Sequence, residues 1–149
     1  MADDSRATRA CYSVGASGVS FLDCGFFSVY AGTAPNQIGK AIDLSVAELK
    51  KIKREGVSRE EIELAKQQSV ATILLGLEDS ANRAANLAQQ EITFGRQIPL
   101  AETLRNIENV SAEEVQQLAR EFFQTETIAL AVLGNLNGLK IDRERLDVA

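Results

Sequence analysis

The sequence predicts an α+β fold: a small antiparallel sheet, with strands near residues 12–16, 26–31 and 127–133, and about five helices packed on one of its faces. Three observations carry this. Aromatic and β-branched residues cluster between glycines in the first 32 positions. Five segments between residues 35 and 123 repeat apolar residues every three or four positions. A short apolar run then stands alone from Thr127 to Leu133, stopped by Gly134.

The elements follow in order. Tyr12–Ala16 and Phe26–Ala31 read as antiparallel strands, joined by a turn or loop between Ser17 and Asp23. Pro35 opens a helix whose apolar face is Ile38, Ile42, Val46, Leu49 and Ile52, with basic residues gathered in its last turn and Gly56 as its stop. Ser58 with Glu61 is a capping box that starts a second helix, striped by Ile62, Ala65, Ser69, Ile73 and Leu77. Asp79 or Ser80 caps a third helix carrying Ala84, Leu87, Ala88 and Ile92, which ends at Gly95. Pro99 starts a short fourth helix, and Ser111 with Glu114 is a second capping box before a fifth. One domain is expected over residues 1–134, with a loosely ordered tail over 135–149, where charges alternate without an apolar pattern.

Composition narrows the function classes. A chain of 149 residues, 45% hydrophobic and 25% charged, is long enough to bury a core of its own. Its net charge of −5 argues against nucleic acid and anionic membrane surfaces as partners. The longest apolar runs, such as Ile128–Leu133, are too short to cross a bilayer. The acidic start, Met1-Ala-Asp-Asp-Ser, has no apolar signal core, and the cytoplasm is the default compartment.

Chemistry is constrained by what is missing. There is no histidine, so a serine or cysteine nucleophile lacks its usual base. No phosphate-binding glycine motif occurs. Cys11 and Cys24, the only cysteines, form no Cys-x-x-Cys pair and read as reduced, packed thiols. A tight turn at Ser17-Gly18 would set them opposite each other, and a loop reaching Asp23 would separate them. Carboxylates such as Glu60, Glu61, Glu113 and Glu114 fall in first helical turns, where the helix dipole accounts for them. Glu91 interrupts an apolar run eight residues after Arg83, and the two read as a structural polar pair. Tyr12 reads, from the residues alone, as a strand aromatic packed on the sheet.

Several segments in order resemble one family. Ala10-Cys11-Tyr12-Ser13-Val14 is similar to its Leu-Ala-Tyr-Ser-Val, and Asp23–Thr33 to a strand ending Tyr-x-Gly-Thr. Glu55-Gly56-Val57-Ser58, Glu78-Asp79-Ser80 with Arg83, Glu91 and Gly95-Arg96, then Val110–Val115 and Ala131–Gly134 continue the match. Together they resemble the later part of the C-terminal half of a pitrilysin/insulinase-type zinc metallopeptidase, in the processing-protease branch near the mitochondrial processing peptidase subunits. The resemblance implies two similar α+β halves around a chamber, with an inverted zinc motif in the first half only. This chain would then hold no zinc ligand and be inactive by itself. It would be the substrate-contacting lobe, with Tyr12 meeting a peptide and the zinc-bearing half or a catalytic subunit as partner. The family's arginine seven residues before that tyrosine corresponds to Ser5, while Arg6 and Arg9 lie out of register. Strands of a complete half are also missing, so an open sheet edge would invite self-association. The alternative is a structural or peptide-binding subunit from an inactive homologue.

Overall fold

A computed structural model describes residues 11–136 and 138–149. Two strands, β1 (Cys11–Ser20) and β2 (Gly25–Thr33), precede five helices: α1 (Ile38–Glu55), α2 (Arg59–Gly76), α3 (Ser80–Phe94), α4 (Leu100–Asn109) and α5 (Ala112–Phe122). The class is α+β, as expected. The chain divides into two compact units, one of residues 1–55 with 118–149 and the other of residues 56–117. The reading of one domain over 1–134 does not anticipate this division.

In the first unit, β1 and β2 form an antiparallel hairpin in which Val14 faces Ala31 and Val19 faces Phe26. The connection is the longer loop, Phe21–Cys24, closed by the Phe21 N–H donating to the Cys24 carbonyl at 2.8 Å. Cys11 pairs with Thr33 at one end of the hairpin and Cys24 lies at the other, so the thiols are separated and both are free. The Tyr30 ring lies over Gly15, its direct cross-strand partner, and an aromatic there covers backbone the glycine leaves bare. Tyr30 itself remains exposed, as do Phe26, Phe27 and Val29.

A short 3-10 turn, Pro35–Gln37, leads into α1, which begins at Ile38, three residues after the proline. The expected stripe is the packed one: Ile42 is buried, and Ile38, Val46, Leu49 and Ile52 are half-buried, with Ala41, outside the stripe, buried as well. The core of this unit is completed from an unexpected source. Residues 143–146 form a 3-10 turn, Leu146 is buried, and Val148 is the most buried side chain described, at 0% exposure.

Polar bonds fix that segment. Lys53 Nζ donates to the carbonyls of Phe123 (2.8 Å) and Val148 (2.7 Å). Arg145 grips Asp43 through two bonds of 2.6 and 2.8 Å. Asp147 accepts from the Ala149 N–H, the Thr125 hydroxyl and Lys50 Nζ, and these bonds, the backbone one foremost, hold its carboxyl down at about 2. The expectation of a loose tail is therefore corrected for its last residues. Alternating charge suggests solvation, whereas Arg143, Arg145 and Asp147 each have a particular acceptor or donor on α1 or on residues 123–128.

The predicted strand at 127–133 is also corrected. Residues 125–127 make a 3-10 turn, and 128–133 run without a ladder. A strand exists only with a paired neighbour. Here the carbonyls of Thr125 and Ile128 accept instead from the Arg143 guanidinium, at 2.7 Å each. Leu133, with no sheet to enter, is fully exposed.

In the second unit the predicted caps are made. The Glu61 N–H donates to Ser58 Oγ (3.2 Å) and the Ser58 N–H to Glu61 Oε2 (2.8 Å). Ser111 and Glu114 repeat the box at 3.1 and 2.8 Å. Asp79, rather than Ser80, caps α3, accepting from the N–H groups of Ala81 and Asn82. Gly95 ends α3 at φ 63°, a left-handed conformation that suits glycine. Pro99 is the N-cap of α4 rather than its first residue. Between α3 and α4, Arg96 holds Glu102 in a two-pronged ion pair (2.7 and 3.2 Å).

Candidate functional site

The predicted site residue, Tyr12, lies on β1 where the ladder is irregular. Cys11 pairs with Thr33 and Ser13 with Gly32, so Tyr12 is the extra residue of a β-bulge. A bulge bends its strand and re-aims the inserted side chain. Tyr12 is 84% exposed, and its hydroxyl has no hydrogen-bond partner among the described residues. The reading of Tyr12 as a packed strand aromatic is thus set aside: the ring is exposed rather than packed.

The surroundings hold the backbone at this point. Across from the bulge, a Cβ at Gly32 would meet Ser13 Oγ at 2.7 Å, so glycine leaves room for the Ser13 side chain. What the arrangement offers chemically is one phenolic donor and acceptor, carried on a paired strand. It contains no base beside a nucleophile. Ser5, Arg6 and Arg9, which bear on the expected arginine partner, lie outside the described residues.

Among the described residues no group of three or more metal-ligating side chains comes together. The chain contains no histidine, the imidazole ligand on which catalytic zinc sites usually draw. No helix among the described residues is long and apolar enough to cross a membrane.

Arg83 and Glu91, expected as a pair, are not joined. Glu91 accepts from Gln97 Nε2 at 3.0 Å, and Arg83 makes no side-chain bond among the described residues. Arg83 instead shares one face of α3 with Asn86 and Gln90, at spacings of three and four. That polar stripe is visible in the sequence once polar rather than apolar periodicity is counted.

Residues 5–69 match the family described as the Peptidase M16 inactive domain. An uncharacterized zinc protease of Mycobacterium tuberculosis is 35% identical over 130 residues, covering 87% of this chain and 30% of that protein. One of Bacillus subtilis is 31% identical over 122 residues, covering 82% of this chain and 30% of its own. The mitochondrial-processing peptidase subunit beta of Neurospora crassa is 33% identical over 122 residues, covering 80% of this chain and 25% of that subunit. The chain thus spans about three-tenths of the length of the first of these relatives. Among solved structures, a chain of complex III2 from Candida albicans, bound to Inz-5, superposes with a TM-score of 0.73 at 18% identity, over 80% of this chain and 29% of that one, which shows a shared fold. The chain belongs to the M16 family of zinc peptidases, on the side of its inactive, C-terminal half.

Proposed function

We propose that this chain is the substrate-contacting lobe of a zinc-dependent endopeptidase or oligopeptidase, and that Tyr12 contacts the peptide. The observation that supports this best is the exposed Tyr12 hydroxyl on a β-bulge, without a hydrogen-bond partner among the described residues. A buried, bonded hydroxyl would be spent on folding. An exposed one on a paired strand is free to bond a substrate carbonyl and keeps its position when it does. In this reading the zinc ion and its ligands belong to a partner, the zinc-bearing half, and this chain supplies binding and orientation only. Names of relatives as zinc proteases and as a processing peptidase subunit support peptide as the substrate class. The outer edges of β1 and β2 are without strand partners among the described residues and are the natural docking lines for that half or for a second copy. The free thiols Cys11 and Cys24 suit the reducing cytoplasm as the working compartment.

The test is direct. Purified chain with added zinc should cleave no peptide, and mixing it with the zinc-bearing half should give turnover above that of the half alone. Metal-dependent cleavage by this chain that survives repeated purification would overturn the reading.

A further inference from the structure

The second unit contains a groove of about 880 Å³ that neither the family match nor Tyr12 accounts for. It lies between α2, α3 and α4, with an apolar floor of Ile73, Leu77, Leu87, Ile98 and Leu100. One charged side chain lines it, Arg83, and no carboxylate does. The Arg83 guanidinium has no partner among the described residues.

The neighbouring amides are oriented by a backbone group. The Ile98 N–H donates to Gln90 Oε1 at 2.8 Å, which fixes that amide with its oxygen toward the backbone. Gln90 Nε2 must then donate, and does so to Asn86 Oδ1 at 2.6 Å. Asn86 in turn is left with its Nδ2 hydrogens to give, one helical turn from Arg83. The chain of bonds therefore ends on an amide with donors still to give, beside a guanidinium that no carboxylate in the groove lining neutralises.

We infer that this groove binds the free C-terminal carboxylate of a peptide whose last side chains are apolar. Arg83 and Asn86 Nδ2 would hold the carboxylate, since a guanidinium fork and an amide donor match its lone pairs. The apolar side chains would cover the floor. The Thr72 and Thr103 hydroxyls, also in the lining and without bonds of their own among the described residues, would serve the peptide main chain. A fatty acid tail would leave these hydroxyls unused and facing hydrocarbon, which disfavours it. This site is independent of Tyr12 and of any zinc-bearing half.

The probe is a short fluorescent peptide ending in Leu-Leu-Phe, titrated into the full chain as the free acid and as the C-terminal amide, with decanoate as competitor. The acid should bind roughly tenfold tighter than the amide, a ratio suited to one charge-assisted pair. Arg83→Gln should remove that preference and Asn86→Ala should weaken it, while Arg59→Gln, an exposed arginine outside the groove, should leave it unchanged. Arg83→Lys, which keeps the charge and loses the fork, should retain part of it. Helical circular dichroism of each variant should match the parent, because all three side chains are exposed. Equal binding of acid and amide, a preference that survives Arg83→Gln, or displacement by decanoate at lower concentration than the free-acid peptide would each overturn the inference.

Discussion

The hairpin and the C-terminal segment of the first unit treat apolar side chains in opposite ways. On the hairpin, Phe21, Leu22, Phe26, Val29 and Tyr30 are exposed, although two paired strands hold the backbone firmly. Residues 143–149 form only one turn of 3-10 helix, yet they contribute Leu146 and the fully buried Val148. Regular secondary structure and burial are therefore uncoupled here. A two-stranded hairpin has two faces and two edges and covers none of them by itself. The C-terminal segment needs no ladder, because Lys50, Lys53 and Asp43 of α1 bind it through side chains. Stability should reside in the segment, and the hairpin should be free to present its surface.

The largest expected effect breaks that contrast at its strong side. Val148→Asp places an unpaired carboxylate in the most buried position and should cost about 3–4 kcal/mol in urea denaturation. Leu146→Ala should cost about 2–3 kcal/mol by the same measurement, from lost burial and a residual cavity. Ser58→Ala lies outside the contrast and calibrates it: one capping box removed should cost about 1 kcal/mol. On the weak side, Leu22→Ser should change stability by less than about 0.5 kcal/mol, since that side chain is 87% exposed. A hairpin substitution that destabilised as much as Leu146→Ala would erase the difference between the two regions.

Acid sharpens the comparison further. Asp147 is held down at about 2 by its bonds to Ala149, Thr125 and Lys50, below the value near 4 of an unfolded carboxylate. A depressed carboxyl contributes stability that is fully present above the unfolded value and disappears as pH falls through the folded one. The C-terminal segment should therefore loosen between about pH 4 and 2. Asp43, lowered by its bond to Arg145, acts in the same direction. Asp147→Asn should flatten the pH dependence in that window, followed as hydrogen exchange at Val148, and leave exchange in the hairpin as it was.

Much of the helical layout was legible in the sequence because its signals are local. Ser58-Glu61, Asp79, Gly95 and Ser111-Glu114 each act within four residues, and each appears where the pattern put it. The α1 stripe was legible for the same reason. What failed depended on distance along the chain. Thr127–Leu133 has strand composition, but whether it joins a ladder depends on a neighbour, and Arg143 takes its carbonyls instead. The burial of Val148 rests on Lys53 and Thr125, and nothing in the composition of residues 135–149 announces those partners. At the candidate site, resemblance pointed to Tyr12, while its bulge arises from a register with β2 that no single-strand pattern encodes. The pairing of Arg83 with Glu91 is not made, because an eight-residue spacing brings two residues near one face without bringing them into contact.

Whether Tyr12 serves the substrate, as proposed, or the fold is decided by a single substitution. In the complete peptidase containing this chain, Tyr12→Phe removes a hydroxyl and keeps the ring. If Tyr12 contacts the peptide, kcat/KM for peptide cleavage falls by roughly threefold to tenfold, the worth of one hydrogen bond, while the melting temperature of the protein stays the same. Unchanged kcat/KM across several peptides, or a loss of activity matched by a loss of stability, would contradict it.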